Sequence, residues 1–568
     1  MTNRWIMLPR PSEESISVLM EQVNLPRPLA ILLAQRGVDD FEKARAFLRP
    51  SLDNLYDPFL MKDMDKAVDR IIQALEMEES ILVYGDYDVD GTTSVAMMYH
   101  FLKSLNAKVS FYIPDRYTEG YGISTQGIDH AAENDISLII ALDCGVKAID
   151  QTKYAAELGI DFVICDHHMP GEQLPPAVAI LDPKREDCDY PYDGLSGCGV
   201  GFKLIQALCT ELGIDQERAM EYLDLVCVST AADIVPINDE NRILAYYGLE
   251  IINSNPRLGI QLMIPEENKG YINISRIVFS IAPKINAAGR IQHAHDAVNL
   301  LLVENKLTGR QFLSDINQLN TQRKNIDSEI TKSALTQLQQ AQDDSSYSTV
   351  VYDPSWHKGV IGIVASRLTE FYYRPTVVFT KGENGTLVAS VRSVKDFDVY
   401  EALCECEELL DKFGGHMYAA GLSMPERNLP NFRRKFENSV RNRITESQRI
   451  PSIEIDTEID FDVITPRFLK LLKLLEPFGP CNLTPHFLTK NLQNYGGERT
   501  MGKQHEHIRL NLFCPKTRKT FTAVGFGFGQ YLRDFQKYTF DLVYVIEENI
   551  WQGKSHTQLQ IRDVRFHK

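Results

Sequence analysis

Three short apolar runs, each stopping at a string of acids or histidines, constrain this fold more than anything else in the chain. Ile81-Leu82-Val83-Tyr84 leads into Asp86-Tyr87-Asp88-Val89-Asp90-Gly91, Leu138-Ile139-Ile140-Ala141-Leu142 into Asp143-Cys144-Gly145, and Phe162-Val163-Ile164-Cys165 into Asp166-His167-His168. Around them, predicted strands at 81–85, 108–113, 137–142, 161–165 and 177–181 alternate with predicted helices at 92–104, 124–134 and 147–158. That alternation predicts βαβ units on a parallel sheet, an α/β fold. Ligands of such sheets bind beyond the carboxyl ends of the strands, so the three polar strings are expected to converge at one edge.

The spacing Asp86-x-Asp88-x-Asp90-Gly91 resembles a calcium loop, but the twelfth position holds Met97 where that loop needs a glutamate. An ordinary strand-to-helix turn, capped by Asp90 or Thr92, accounts for one of the acids and not for three on alternate positions. Carboxylates so close repel one another unless cations sit among them. Adjacent histidines at a strand end can divide labour, one ligating a metal while the other faces a phosphoryl oxygen. Asp233, in Thr230-Ala231-Ala232-Asp233-Ile234-Val235-Pro236, ends an apolar helix and adds a further acid. Carboxylates with imidazole form the ligand set of a hydrolytic divalent site, and five or more suffice for two ions roughly 3.5–4 Å apart clamping a phosphoryl group.

At 568 residues and 44% hydrophobic, the chain is long enough for three or four domains. No apolar run is long enough for a membrane span, the N-terminus lacks a secretory pattern, and the ten cysteines include no Cys-x-x-Cys pair. Cys144, Cys165 and Cys227 are expected to be core thiols, and a reducing cytoplasm is the expected compartment. The net charge of −17 is unevenly spread: residues 486–568 carry 13 Lys and Arg against seven acids, a local excess of +6. An acidic body with a basic end is the asymmetry of a module that meets a polyanion.

Beyond the first unit, Phe312, Ile316, Leu319, Ile326, Ile330 and Leu338 share one face of a predicted helix over 306–341, ended by Asp343-Asp344-Ser345-Ser346. A second α/β unit is expected over 347–445, with strands 348–352, 376–380 and 386–391 and helices 360–372 and 397–410. From about 452 the pattern turns to short strands, which together with the basic excess predicts a small β-barrel. Phe521, Phe526, Phe528 and Tyr531 are candidate base-stacking groups there, while His505 and His507 are expected to face solvent on a turn.

These strings match the DHH phosphoesterases, the family named for Asp166-His167-His168, and within it the chain resembles the bacterial single-strand-specific DNA exonucleases. The likeness also runs through Pro114-Asp115-Arg116, Glu119-Gly120-Tyr121-Gly122, Ser196-Gly197-Cys198-Gly199-Val200 and Pro283-Lys284-Ile285-Asn286-Ala287-Ala288-Gly289-Arg290. It continues through Gly362-Ile363-Val364-Ala365-Ser366-Arg367-Leu368, Gly414-Gly415-His416 and Leu475-Glu476-Pro477-Phe478-Gly479-Pro480. The resemblance implies an N-terminal helical segment (1–70), a DHH catalytic domain (71–305), a connecting helix (306–345), a DHHA1 domain (346–445) and an oligonucleotide-binding (OB) barrel (452–568). It implies Asp88, Asp90, Asp143, His167 and Asp233 as ligands of two Mn²⁺ or Mg²⁺ ions, with Asp86 a ligand or just behind one. His168 would contact the scissile phosphate, and Arg116, Tyr121, Asn286, Arg290, Ser390, Arg392 and His416 would hold the strand, several at its 5′-phosphate. The implied activity is 5′→3′ hydrolysis of single-stranded DNA to 5′-mononucleotides in recombination and repair. Implied too are single-strand-binding protein and repair helicases as partners, a monomeric state and no membrane contact. The rival reading, an oligoribonuclease or small-nucleotide phosphatase of the same family, leaves residues 452–568 without a role.

Overall fold

The computed structural model of the protein describes residues 3–340, 345–382, 385–551 and 554–568. Strands Lys108–Tyr112, Ser80–Gly85, Ile136–Leu142, Asp161–Cys165 and Ala179–Leu181 lie side by side in that order, all parallel. Ser80–Gly85, Ile136–Leu142 and Asp161–Cys165 are buried along nearly their whole length, as in a sheet covered on both faces. Helices Met64–Glu76, Val89–Ser104 and Gly197–Glu211 share one core, and helices Thr125–Glu133 and Ile149–Glu157 pack on the opposite face. The chain reverses direction across the sheet at Ser80–Gly85, so the crevice beside its end and that of Ile136–Leu142 is the topological switch point.

Two expectations need correction here. The helix after the acidic string begins at Val89 rather than residue 92, because the Asp88 side chain caps it by accepting from the Gly91 N–H at 3.1 Å. The boundary placed at 70 cuts through helix Met64–Glu76, whose Ala67, Val68 and Ile71 belong to the catalytic core. The residues before it divide differently. Strand Arg4–Met7 pairs in parallel with Ser452–Ile455, and helices Glu13–Gln22 and Arg27–Gln35 bury Ile16, Leu19, Leu29 and Leu33 against Phe461, Phe468 and Phe487. The N-terminal segment thus helps build the core of the C-terminal unit.

Helix Lys306–Gln340 spans about 52 Å at 1.5 Å per residue, burying Ile316, Leu319, Ile330 and Leu338 as the periodicity predicts. Asp343 and Asp344, expected to end it, lie outside the described residues. In the second lobe the strand order is Lys412–His416, Ala419–Pro425, Thr386–Arg392, Thr376–Lys381, Thr349–Tyr352, antiparallel except for the last pair. The helix expected over 397–410 runs only from Val399 to Cys404, and the hairpin 412–425 had no sequence counterpart. Gly414 and Gly415 lie within its first strand, and Gly415 takes φ 153° where the backbone of Ala419 and Ala420 comes too close for a side chain.

The C-terminal unit is a closed barrel. Strands Phe487–Asn494, Phe540–Trp551, Lys554–Phe566, Lys519–Gly525 and His507–Cys514 pair in sequence, and Gln493↔Phe513 and Asn494↔Leu512 close the ring. Arg242, buried on the catalytic lobe, stacks 3.8 Å from the Phe47 ring centroid and donates to the carbonyls of Leu474, Leu475, Glu476 and Pro477. Five residues earlier, the Ile237 N–H donates to the Pro480 carbonyl at 2.8 Å, tying the segment after Asp233 to the barrel's entry. No described helix is long and apolar enough to cross a membrane.

Candidate metal centre and strand-binding groups

The predicted site acids arrive from three strand ends and one helix end, and the structure brings Asp90, Asp143 and Asp233 round His167, with Asp86 and Asp88 at the junction that carries Asp90. Asp86 follows the first strand and is fully buried, with neither carboxylate oxygen in a hydrogen bond. Asp88 caps the following helix. Asp90, in its first turn, accepts from the N–H groups of Gly197 (2.7 Å) and Cys198 (2.8 Å) and from the Ser229 hydroxyl (2.6 Å). The start of helix Gly197–Glu211 therefore orients Asp90, and Gly197 must be glycine because a Cβ would lie 2.6 Å from that of Asp143.

His167 sits at the centre. Its Nε2 is 3.2 Å from Asp143 Oδ1, 3.5 Å from Asp233 Oδ2 and 3.8 Å from Asp90 Oδ2, yet neither ring nitrogen makes a hydrogen bond. Asp90, His167 and Asp233 form one group with ligand atoms in mutual reach, and Asp143, His167 and His168 form another. Buried carboxylates and an imidazole without hydrogen-bond partners are costly alone. They fit divalent cations, which would be held by Asp86, Asp88, Asp90, Asp143, His167 and Asp233.

The electrostatics agree. Burial, then Asp88, pushes the Asp86 carboxyl well above its usual range, and burial with Asp90 raises Asp88. Burial and the charges of Asp90, Asp88 and Asp233 raise Asp143, and Asp233 is pushed up to about 8 by burial, Asp90 and Asp88. Burial lowers His167, which favours the neutral, ligating imidazole. Burial lowers His168, but its hydrogen bond to Asp166 and the charges of Asp166, Asp233 and Asp90 together outweigh it and raise the imidazole.

The groups expected to bind the strand fall beside this cluster. The guanidinium of Arg116 lies 4.8 Å from the Tyr87 ring centroid, and the Tyr121 hydroxyl is 3.2 Å from His168 Nε2. Asn286 and Arg290 stand one turn apart on helix Ala282–Ile291, which approaches so closely that a Cβ on Gly289 would lie 2.5 Å from the Tyr87 carbonyl oxygen. Burial and the charges of Arg116, Arg323 and Arg392 push the Arg290 guanidinium down to about 10, while its Nη1 donates to the Gly359 carbonyl of the second lobe at 3.2 Å. In the second lobe Arg392 donates to the Ser390 hydroxyl at 3.0 Å, and both face the start of helix Ile361–Tyr372 at Gly362. Ala419 pairs with Arg392 on one side and His416 on the other, aligning those two side chains across the sheet.

Two residues were missed. Arg323, on the long helix, adds its charge to those acting on Arg290, and its Nε finds no partner. Its signal was hidden because charged residues on a helix read as a solvated face. Lys184 follows the strand Ala179–Leu181, and its charge acts on His167 and Asp233. Inspecting the end of that strand as the others were inspected would have shown Asp182-Pro183-Lys184. Among the candidate stacking groups, Phe521 and Phe528 pack against the barrel core, whereas Phe526 is 56% exposed. His505 is exposed and His507 meets Phe526 edge-on, with ring centroids 5.1 Å apart. Cys144, Cys165 and Cys227 are buried free thiols.

A parallel sheet whose strand ends carry these acids and the paired histidines, faced by a second lobe, defines a DHH-type metal-dependent phosphoesterase. Family models agree: "DHH family, N-terminal domain" matches residues 80–230, "DHHA1 domain" 344–442 and "RecJ OB domain" 455–563. The chain is 38% identical over 566 residues to the single-stranded-DNA-specific exonuclease RecJ of Bacillus subtilis, covering 99% of this chain and 70% of that protein. It is 33% identical to RecJ of Dickeya dadantii, over 95% and 96% of the two chains. Two structures of Thermus thermophilus RecJ superpose on it: the Mn²⁺ complex with a TM-score of 0.83 at 27% identity, covering 99% of this chain and 79% of that one, and the Mg²⁺ complex with 0.77 at 26%, covering 99% and 78%. The chain belongs to the RecJ family of single-stranded-DNA-specific exonucleases.

Proposed function

We propose that this protein is a metal-dependent exonuclease that hydrolyses single-stranded DNA from its 5′ end and releases 5′-mononucleotides, in recombination and repair. The observation that carries the reading is the His167-centred acid cluster, with Arg116 over the ring of Tyr87 and the helix of Arg290 packed against the same tyrosine. Guanidinium groups favour forked contacts to phosphate, so Arg116, Arg290, Arg323 and Arg392 with Ser390 suit a terminal phosphate. Divalent ions, when held by the acids and His167 of the neighbouring cluster, would supply Lewis acidity toward the scissile phosphate and an activated water.

The protein's own residues do the rest. Asp90, fixed by three donors, and Asp143 set the geometry of the site. His168, held by Asp166 through Nδ1, presents Nε2 toward the phosphate. An anchored 5′ end fixes which bond lies at the cluster, which gives polarity and mononucleotide products. The barrel retains the incoming strand through phosphate contacts and stacking. We assign binding of single-strand-binding protein and helicases, a monomeric state and a cytoplasmic location to the same reading, since DNA repair acts on such strands. The test is digestion of 5′- and 3′-labelled single strands and duplexes with Mn²⁺ and with EDTA. Mononucleotides from the 5′ label of single strands, Mn²⁺-dependent, are expected; release from the 3′ label first overturns the polarity.

A further inference from the structure

Ile234 is held in a conformation that a β-branched residue rarely adopts. It follows Asp233, the C-cap of helix Leu223–Ala232, and has φ 62°. A left-handed residue in that place is usually glycine, because a side chain there strains against its own backbone. Strain of this kind persists where the surroundings enforce it and gathers at functional sites. Yet Ile234 gains no burial in return: it is 66% exposed.

It is not an isolated case. Met169, directly after His168, is 64% exposed, and Tyr121, whose hydroxyl reaches His168, is 54% exposed. His167 and Asp233 lie 3.5 Å apart, so Met169, two residues past His167, and Ile234, next to Asp233, both leave the same centre. Large apolar side chains therefore rim a site whose floor is carboxylate and imidazole. Isolated exposed apolar residues are ordinary, but three around one polar centre mark a ligand with an apolar face.

We infer that Ile234, flanked by Met169, contacts the sugar and base of the nucleotide being released, and so makes the reaction depend on an intact terminal base. This rests on the nuclease reading, because a phosphate seated at the cluster carries a deoxyribose one bond away. That sugar and its base offer the C–H and π surfaces an apolar rim would meet.

The test compares Mn²⁺-dependent turnover of two 5′-phosphorylated single strands, one with a normal 5′-terminal nucleotide and one whose terminal nucleotide is abasic. For the unaltered protein, kcat/KM is expected to fall about tenfold on the abasic end, in keeping with one apolar contact to a base. In Ile234→Gly and Ile234→Ala that discrimination shrinks to within about twofold, chiefly through loss on the base-bearing strand. The glycine variant, which suits the left-handed backbone, keeps or raises the melting temperature. Equal losses on both strands mean that Ile234 acts only by positioning Asp233, and unchanged discrimination means that it touches no base; either overturns the inference. It is overturned as well if the unaltered protein cuts both strands equally. If the unaltered protein cuts neither strand, the nuclease reading falls and takes this inference with it.

Discussion

His168 Nδ1 lies 2.7 Å from Asp166 Oδ1, and that contact settles how the family string divides its work. Asp166 is buried, and its two oxygens also accept from the N–H groups of His167, His168 and Val146. Burial alone would raise this carboxyl, but the hydrogen bond and charge of His168 outweigh it and hold Asp166 below its usual range. With its acceptors engaged, Asp166 orients His168 and leaves His167 free for the cluster. Such partners behind a reacting group fix its ring orientation and tautomer.

Asp166→Asn should therefore lower turnover by about 10- to 100-fold while Mn²⁺ affinity changes little. Single-turnover cleavage beside calorimetric Mn²⁺ titration separates the two. An equal collapse of metal affinity would show that Asp166 supports the cation cluster rather than His168.

Asp143→Ala removes a carboxylate 3.2 Å from His167 Nε2 but touches neither the arginine cluster nor the barrel. Hydrolysis should be abolished, and affinity for a single strand should stay within about threefold when measured by fluorescence anisotropy. Loss of binding in step with cleavage would contradict the separation of the two functions.

Arg392→Ala opens the arginine cluster from the second lobe. Charge-assisted hydrogen bonds are worth roughly 1.5–3 kcal/mol, so kcat/KM for a 5′-phosphorylated strand should fall about 10- to 100-fold. A strand ending in a 5′-hydroxyl should be affected far less. Arg323→Gln should act in the same direction and more weakly. Identical losses on both ends would remove the phosphate from this pocket.

The parallel sheet and the polar edge were legible because period and position carry them: apolar runs of strand length, each ending in acids. Asp86, Asp143 and His167 stand out by their place at those strand ends alone. Arg323 does not, since its meaning comes from the charge it adds at Arg290, which lies elsewhere in the chain and comes near only through folding. The pairing of Arg4–Met7 with Ser452–Ile455 was equally hidden, because it joins the two ends of the chain and neither strand alternates clearly between buried and exposed.

Asp182 gives the fold a pH dependence of its own. The carboxyl is fully buried at the end of strand Ala179–Leu181, one oxygen accepts from the Lys184 N–H at 2.8 Å, and the other has no partner. Burial pushes it up to about 7, against roughly 3.9 for a free aspartate. An acid raised in the folded state stabilises while protonated, so its contribution is complete below about pH 4 and lost as pH rises through about 7. With EDTA present, the unaltered protein should lose more melting temperature between pH 5 and pH 8 than Asp182→Asn does. Parallel pH profiles would mean that Asp182 is ionised at little cost.

The barrel offers a test that deletion cannot. Removing residues 452–568 would uncover Ile16, Leu19, Leu29 and Leu33 and strip strand Arg4–Met7 of its partner, so a truncated chain would lose more than strand binding. A groove of about 830 Å³ on the barrel is instead lined by Arg499, Arg509 and His556 beside Met501, Thr522 and Val524. Arg499 and Arg509 pair across adjacent strands, so two like charges stand together where repulsion would disfavour them without an anion. Each phosphate neutralised on a single strand contributes about −0.7 to the slope of log affinity against log salt. Arg499→Gln with Arg509→Gln should therefore weaken binding of a long single strand and flatten that slope by roughly 1.4, while cleavage of a very short oligomer is little changed. A slope equal to that of the unaltered protein would place the strand on another face of the barrel.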